Sequence, residues 1–263
     1  MKMKKLVLIF LAAALVQSCS ESKMDRKGFQ VNEISENEDG EKVVGLQIDS
    51  LQFETRPMGV LMTKNRVHRL TPIYKVNYNK ETGKPFTGSN HFHGKWERES
   101  NDGNNWNNHI MPGFEALYGY NLVNISHYNN VEHSQNEFFE KPVLLRTVYY
   151  PAFSKDTLNK MPVERDYYMI SVYDEDSNKD GFINVKDLRR FYLYDIGGNL
   201  RMPLIPKNYS VMSSEYDSDN DFMYVFAKLD KNSNGQMEEM EPIHIFWIDL
   251  KSPEKTGIQF KTK

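Results

Sequence analysis

The feature that most narrows what this chain can become is a repeat of 54 residues in its C-terminal half. Asp176-Ser177-Asn178-Lys179-Asp180-Gly181-Phe182-Ile183-Asn184-Val185-Lys186-Asp187 is answered by Asp230-Lys231-Asn232-Ser233-Asn234-Gly235-Gln236-Met237-Glu238-Glu239-Met240-Glu241. Both stretches carry oxygen-bearing side chains at the first, third, fifth, ninth and twelfth places, with glycine sixth. Apolar segments flank them in register. The same shift places Tyr168, Ile170 and Val172 on Phe222, Tyr224 and Phe226, and Phe191 to Asp195 on Ile245 to Asp249. Each unit reads as strand, loop, strand and polar turn. Both alternating faces of these strands are apolar, so their sheets are expected to be covered on both sides by neighbouring sheets.

An all-β fold with few short helices follows, since no long stretch sustains an apolar period of about 3.6 residues. The array is expected to be propeller-like, with about 4–5 units at this repeat length, or a layered antiparallel stack. Fifteen Tyr, fifteen Phe and three Trp among 263 residues suit a pleated surface. Candidate strands are 59–63, 73–78, 116–126, 143–150, 167–173, 191–195, 222–228 and 243–250, most of them bounded by Gly, Pro, Asn or Asp.

The loop spacing is what a chain needs to wrap around calcium, a hard cation that takes about six to eight oxygens. In the first loop Asp176, Asn178 and Asp180 offer side-chain oxygens, Phe182 its carbonyl, Asn184 a direct or water-mediated contact, and Asp187 closes the shell. The second loop offers Asp230, Asn232, Asn234, the Gln236 carbonyl, Glu238 and Glu241 in the same order. Ile183 and Met237, at the eighth place, are expected to point inward and pin each loop to the core. No His or Cys enters either loop, which disfavours zinc and copper. Two calcium ions with a structural role are the expectation.

These loops resemble EF-hand loops, and Asp-x-Asn-x-Asp-Gly with Asn184 and Asp187 downstream resembles the dockerin variant. The likeness covers only the two twelve-residue loops. An EF-hand sets its loop between helices, whereas here 167–173 and 222–228 read as strands. Strand-loop-strand calcium sites are similar to those of integrin-type propeller repeats.

The N-terminus is a targeting segment. Three lysines within Met1 to Lys5, the apolar run Leu6 to Val16, and Val16-Gln17-Ser18-Cys19 resemble a bacterial lipoprotein signal, implying cleavage before Cys19 and acylation of its thiol. The apolar run is shorter than the ~20 residues that span a bilayer. Residues 1–18 are therefore assigned to the signal peptide, 19–42 to a lipid-anchored flexible tether, and 43–263 to a β-repeat domain with units near 166–210 and 220–263. Acidic residues after Cys19 resemble surface-export tags of Bacteroidota lipoproteins. The expected place is the cell envelope, anchored to the outer membrane and facing periplasm or surface. Cys19 is the only cysteine, so no internal disulfide can form, and bound ions would have to reinforce the fold instead. Losing the three signal lysines takes the formal charge from −3 to −6, and without a basic patch nucleic acid is not an expected partner.

One polar, aromatic-studded stretch, 84–112, is a second candidate site. His91 and His93, with His109, are a possible transition-metal set, and Trp96 and Trp106 offer flat faces for a glycan. Asp217, Asp219 and Asp221 read as a solvated turn. No nucleophile elbow, phosphate-cradling loop or zinc-protease motif is present. The function expected is therefore a calcium-stabilised binding or interaction module with a glycan or protein ligand. The alternative is a carbohydrate-active or other hydrolase on a propeller, again with structural calcium.

Overall fold

A computed structural model describes residues 28–30, 33–34, 43–44, 53–79, 81–87, 91–92, 111–119, 121–153 and 155–262. Every regular element among them is a strand and every strand pairing is antiparallel. The all-β expectation holds, and the described residues contain no helix.

Three sheets carry the fold. The first orders as Ser134–Glu137, Leu122–Asn129, His68–Lys75 and Thr55–Pro57. The central sheet orders as Leu200–Pro203, Arg190–Asp195, Tyr167–Tyr173, Leu144–Pro151, Phe114–Tyr118 and His91–Phe92. The C-terminal sheet is a four-strand meander of Tyr209–Asp217, Phe222–Leu229, Ile243–Asp249 and Thr256–Lys261. Within the central sheet Leu144–Pro151, Tyr167–Tyr173, Arg190–Asp195 and Leu200–Pro203 form the same kind of meander, so the repeat is a four-strand unit.

Strand periodicity decides which residues meet. Successive side chains point to opposite faces, and in Tyr167–Tyr173 all seven residues are buried. Tyr168, Ile170 and Val172 join Tyr192 and Tyr194 in a core with Leu70, Tyr74 and Ile125 of the first sheet. Tyr167, Met169, Phe191 and Leu193 face the other way and meet Val211, Met223, Val225 and Phe246 of the C-terminal sheet. The central sheet is covered on both faces, as its two apolar faces require. A smaller core gathers Phe29, Val123, Leu144, Tyr173 and Ile183. Phe29 lies in Gly28–Gln30, a strand inside the expected tether that pairs with Phe182–Asn184 of the first loop.

Several expectations need correction. The C-terminal sheet is covered on one face only. Met223 and Val225 are buried, whereas Phe222, Tyr224, Phe226 and Trp247 are half-buried and Ile258 and Phe260 exposed. Phe222 and Trp247 stack on that open face with centroids 5.6 Å apart. The second strands of the two units are also offset by one residue more than the 54-residue shift gives. Met169 pairs with Leu193, but Met223 pairs with Ile248. A slip of one residue exchanges the faces, so Phe246 and Ile248, and not Ile245 and Trp247, enter the core. The expected strand 116–126 is two strands, Phe114–Tyr118 and Leu122–Asn129, which belong to different sheets. Asn121 makes the break with φ 59°, a conformation that asparagine tolerates better than most residues. Of the expected strand 59–63 only a single bridge between Leu61 and Leu70 forms.

Asp221 is not a solvated turn residue. It is 1% exposed and pairs with the Arg165 guanidinium at 2.7 Å. Arg165 also donates to the carbonyls of Leu250, at 2.6 Å, and Pro112, at 3.2 Å, while Tyr216 donates its hydroxyl to Asp221. This network ties the segment just before Tyr167–Tyr173 to the C-terminal sheet. Removing one partner leaves a buried charge alone, which typically costs about 3–5 kcal/mol. Asp221→Asn keeps the shape and the backbone preference but not the charge. It should lower unfolding free energy by that amount in urea titrations, and a loss below about 1 kcal/mol would show that the pair matters little.

Candidate metal centre

Both candidate loops leave the end of an inner strand and return to the next, the first between Tyr167–Tyr173 and Arg190–Asp195, the second between Phe222–Leu229 and Ile243–Asp249. Their backbones are congruent. The fourth residue has positive φ in each, Lys179 at 58° and Ser233 at 58°, as does the sixth, Gly181 at 85° and Gly235 at 73°.

The side chains fold inward on matching partners. Asp176 accepts from the amides of Asp180, at 3.0 Å, and Gly181, at 2.8 Å. Asp230 accepts from those of Asn234, at 3.1 Å, and Gly235, at 3.0 Å. Asn178 and Asn232 accept from the amide two residues on, as do Asp180 and Asn234. The twelfth residue then spans each loop. Asp187 accepts from the amides of Ser177, at 2.9 Å, and Asn184, at 2.8 Å. Glu241 accepts from Lys231, at 3.2 Å, and Glu238, at 3.0 Å. Both closing acids are buried, Asp187 completely and Glu241 to 8% exposure. In the second loop the Asn232 and Asn234 side-chain amides also hold Glu238, at 3.1 and 2.7 Å. In the first, Asn184 accepts from the Lys186 amide at 2.7 Å.

The two loops, far apart in sequence, lie against each other. Ser177 donates its hydroxyl to the Gly235 carbonyl at 2.6 Å, and Asp187 forms a single antiparallel bridge with Gln236. A Cβ on Gly235 would fall inside the Ser177 carbonyl group, whereas one on Gly181 would meet nothing within 4 Å. Sequence spacing gave no sign of this contact. The eighth-place expectation is half right. Ile183 is 2% exposed against Phe29, but Met237 is 42% exposed, because among the described residues no strand lies over the second loop as Gly28–Gln30 lies over the first.

The donor set is oxygen alone, three carboxylates with amide and carbonyl oxygens in each loop, and it suits a hard cation. Among the described residues no three His, Cys, Asp or Glu side chains are grouped as a metal would need. Half of each proposed shell is instead Asn side chains or a backbone carbonyl. Burial pushes the Asp187 carboxyl up to about 6, with the Asp176 charge adding to it and the backbone hydrogen bonds opposing. Of the second candidate site, His91 lies in a short strand whose backbone pairs with Tyr118. His93, Trp96, Trp106 and His109, and the lipidation candidate Cys19, lie outside the described residues. No family model matches the chain, and no curated protein matches it in sequence.

Two measurements test this geometry. Any L-residue at either glycine strains the left-handed backbone by about 1–2 kcal/mol. Gly181→Ala should cost that much, and Gly235→Ala clearly more because it also drives the loops apart; equal losses in chemical denaturation would contradict the docking. The second concerns pH in the metal-stripped chain. With its folded value raised, Asp187 favours the fold while protonated, fully below its ordinary 3.8, and this is lost as pH rises through 6. Between about pH 4 and 7 the stripped protein should lose stability relative to Asp187→Asn, which does not titrate; parallel curves would contradict the burial of a charge there.

Proposed function

We propose that the chain binds two calcium ions, one in each loop, and that the ions stabilise a lipid-tethered β module at the cell envelope. The observation that carries this reading is the congruence of the loops. Two segments 54 residues apart share positive-φ positions, inward-turned acids and a buried twelfth carboxylate. Turn-forming composition alone gives no reason for an acid to be buried at the same place twice. Asp187 accepts from backbone amides and the Ser177 hydroxyl, and Glu241 from backbone amides, and both keep a charge that a cation can satisfy.

In this reading Asp176, Asn178, Asp180, Asn184 and Asp187 with the Phe182 carbonyl hold one ion. Asp230, Asn232, Asn234, Glu238 and Glu241 with the Gln236 carbonyl hold the other. Calcium would take over the oxygens that Asn232 and Asn234 now hold through their amides at Glu238. Of the two architectures expected, we adopt the layered array, because the central sheet has both apolar faces covered by neighbouring sheets without a closed ring. Acylation at Cys19 supplies the membrane attachment, and the ions supply the reinforcement that a chain without disulfides lacks.

At a free ion concentration ~100-fold above the dissociation constant, each site would add about 2.7 kcal/mol. Calorimetric titration of the chelator-stripped protein should show calcium uptake, and Asp176→Ala with Asp230→Ala should abolish it. Thermal melts with calcium and with chelator should differ by several degrees. Identical melts and a flat titration would overturn the proposal.

A further inference from the structure

Between the central and C-terminal sheets lies a cavity of about 240 Å³, and beside it a second of about 220 Å³. Arg146 and Arg189 line both, so the two arginines stand where the cavities adjoin. Each lies within electrostatic reach of the other. Among the described residues no carboxylate forms an ion pair with either.

The cavity is built by irregularities in two strands. In Leu144–Pro151 the pairing runs from Leu145 on Val172 to Thr147 on Ser171, which leaves Arg146 as the extra residue of a β-bulge. In Tyr209–Asp217 it runs from Val211 on Ala227 to Ser213 on Phe226, which leaves Met212 as the extra residue. Bulges re-aim side chains and open the ladder. Here both bulged residues line the larger cavity, and Arg189 bridges it by donating to the Met212 carbonyl.

Unused donors line both cavities. Arg189 Nε, Ser171 Oγ and Asn121 Nδ2 are buried without a hydrogen-bond partner, Ser171 at 5% and Asn121 at 2% exposure. Ser171 lines the larger cavity and Asn121 the smaller. A buried donor without a partner is costly, and a native structure keeps one where something else satisfies it. Two guanidiniums with an amide and a hydroxyl are a recognition set for an oxyanion, since a guanidinium offers its N–H groups in the fork that a carboxylate or phosphate accepts. Tyr149, Phe191, Val211 and Val225 give the larger cavity an apolar and aromatic wall, beside the hydroxyls of Thr147, Ser213 and Ser214.

We propose that the paired bulges form a binding pocket for a small organic anion, a ring or short apolar body bearing a carboxylate or a phosphate monoester. Arg146 and Arg189 hold the oxyanion, Ser171 and Asn121 complete its hydrogen bonds, and the apolar wall takes the body. The pocket does not depend on the calcium reading. A strand interior such as Val143 to Tyr150, otherwise apolar but for Arg146 and Thr147, was the only sequence sign of it.

The test uses the full chain at fixed calcium, titrated calorimetrically with benzoate, phenyl phosphate and, as the uncharged control, benzyl alcohol. Saturable binding of benzoate or phenyl phosphate, with benzyl alcohol silent, is the expected result, and the tighter of the two anions identifies the headgroup. Arg146 is exposed, so Arg146→Gln should fold normally and weaken the anion by about tenfold or more, the loss expected of a charged hydrogen bond. Arg189→Lys, which keeps a donor near Met212, should weaken it too. Failure of both anions to bind, equal binding of benzyl alcohol, or wild-type affinity in Arg146→Gln would each overturn the proposal.

Discussion

The burial of the central sheet on both faces is the constraint on which the other features depend. Tyr168, Ile170 and Val172 need the first sheet, and Tyr167, Met169 and Phe191 need the C-terminal one. With both demands met, the sheets must stack as layers and the connections must run around their ends. That stacking brings the two inner-strand loops to the same end of neighbouring sheets. Contact between Ser177 and Gly235 is therefore a consequence of layer spacing, made possible by a residue with no side chain. It also explains why the central sheet's partner strands are irregular. Two twisted sheets cannot keep ideal pairing everywhere while their inner faces interdigitate, and bulges absorb the mismatch.

Much of this order was legible in the sequence where side-chain chemistry is strong. Inner strands announced themselves by continuous apolar and aromatic runs, and Tyr167–Tyr173 has the bounds expected of it. The loops announced themselves by repeated oxygen donors around a glycine. Outer strands did not. Tyr209–Asp217 reads YSVMSSEYD and alternates weakly because only its first part faces the core, and Thr256–Lys261 is largely exposed. Sequence periodicity reports burial, so a strand with little to bury leaves no signal.

The errors have physical causes as well. The break at Asn121 was missed although Gly119 and Asn121 interrupt the apolar run, because Leu122 and Val123 resume it at once and a change of sheet alters no composition. The one-residue offset after the second loop was hidden by aromatic and branched residues on both faces of Ile243–Asp249. With Ile245, Phe246, Trp247 and Ile248 in a row, either register is apolar, and only the partner strand decides. Asp221 misled for the opposite reason. Its neighbours Asp217 and Asn220 do form an exposed turn, and nothing local shows that Arg165, 56 residues earlier, ends beside it.

The two repeats also differ in a way that bears on function. Each four-strand unit has a bulge in its first strand, opposite Ser171 and Val172 in one and Phe226 and Ala227 in the other, nearly the same place in the meander. The first unit puts an arginine there and the second a methionine. The next charged group, Arg189, follows the first loop's closing acid by two residues and spends one N–H on the second unit's bulge. Asp187 is itself anchored on the amides of Ser177 and Asn184. A repeat built only for stability would have no use for this asymmetry. Two of the unpaired donors, Arg189 Nε and Ser171 Oγ, belong to the first unit, which is where the copies diverge.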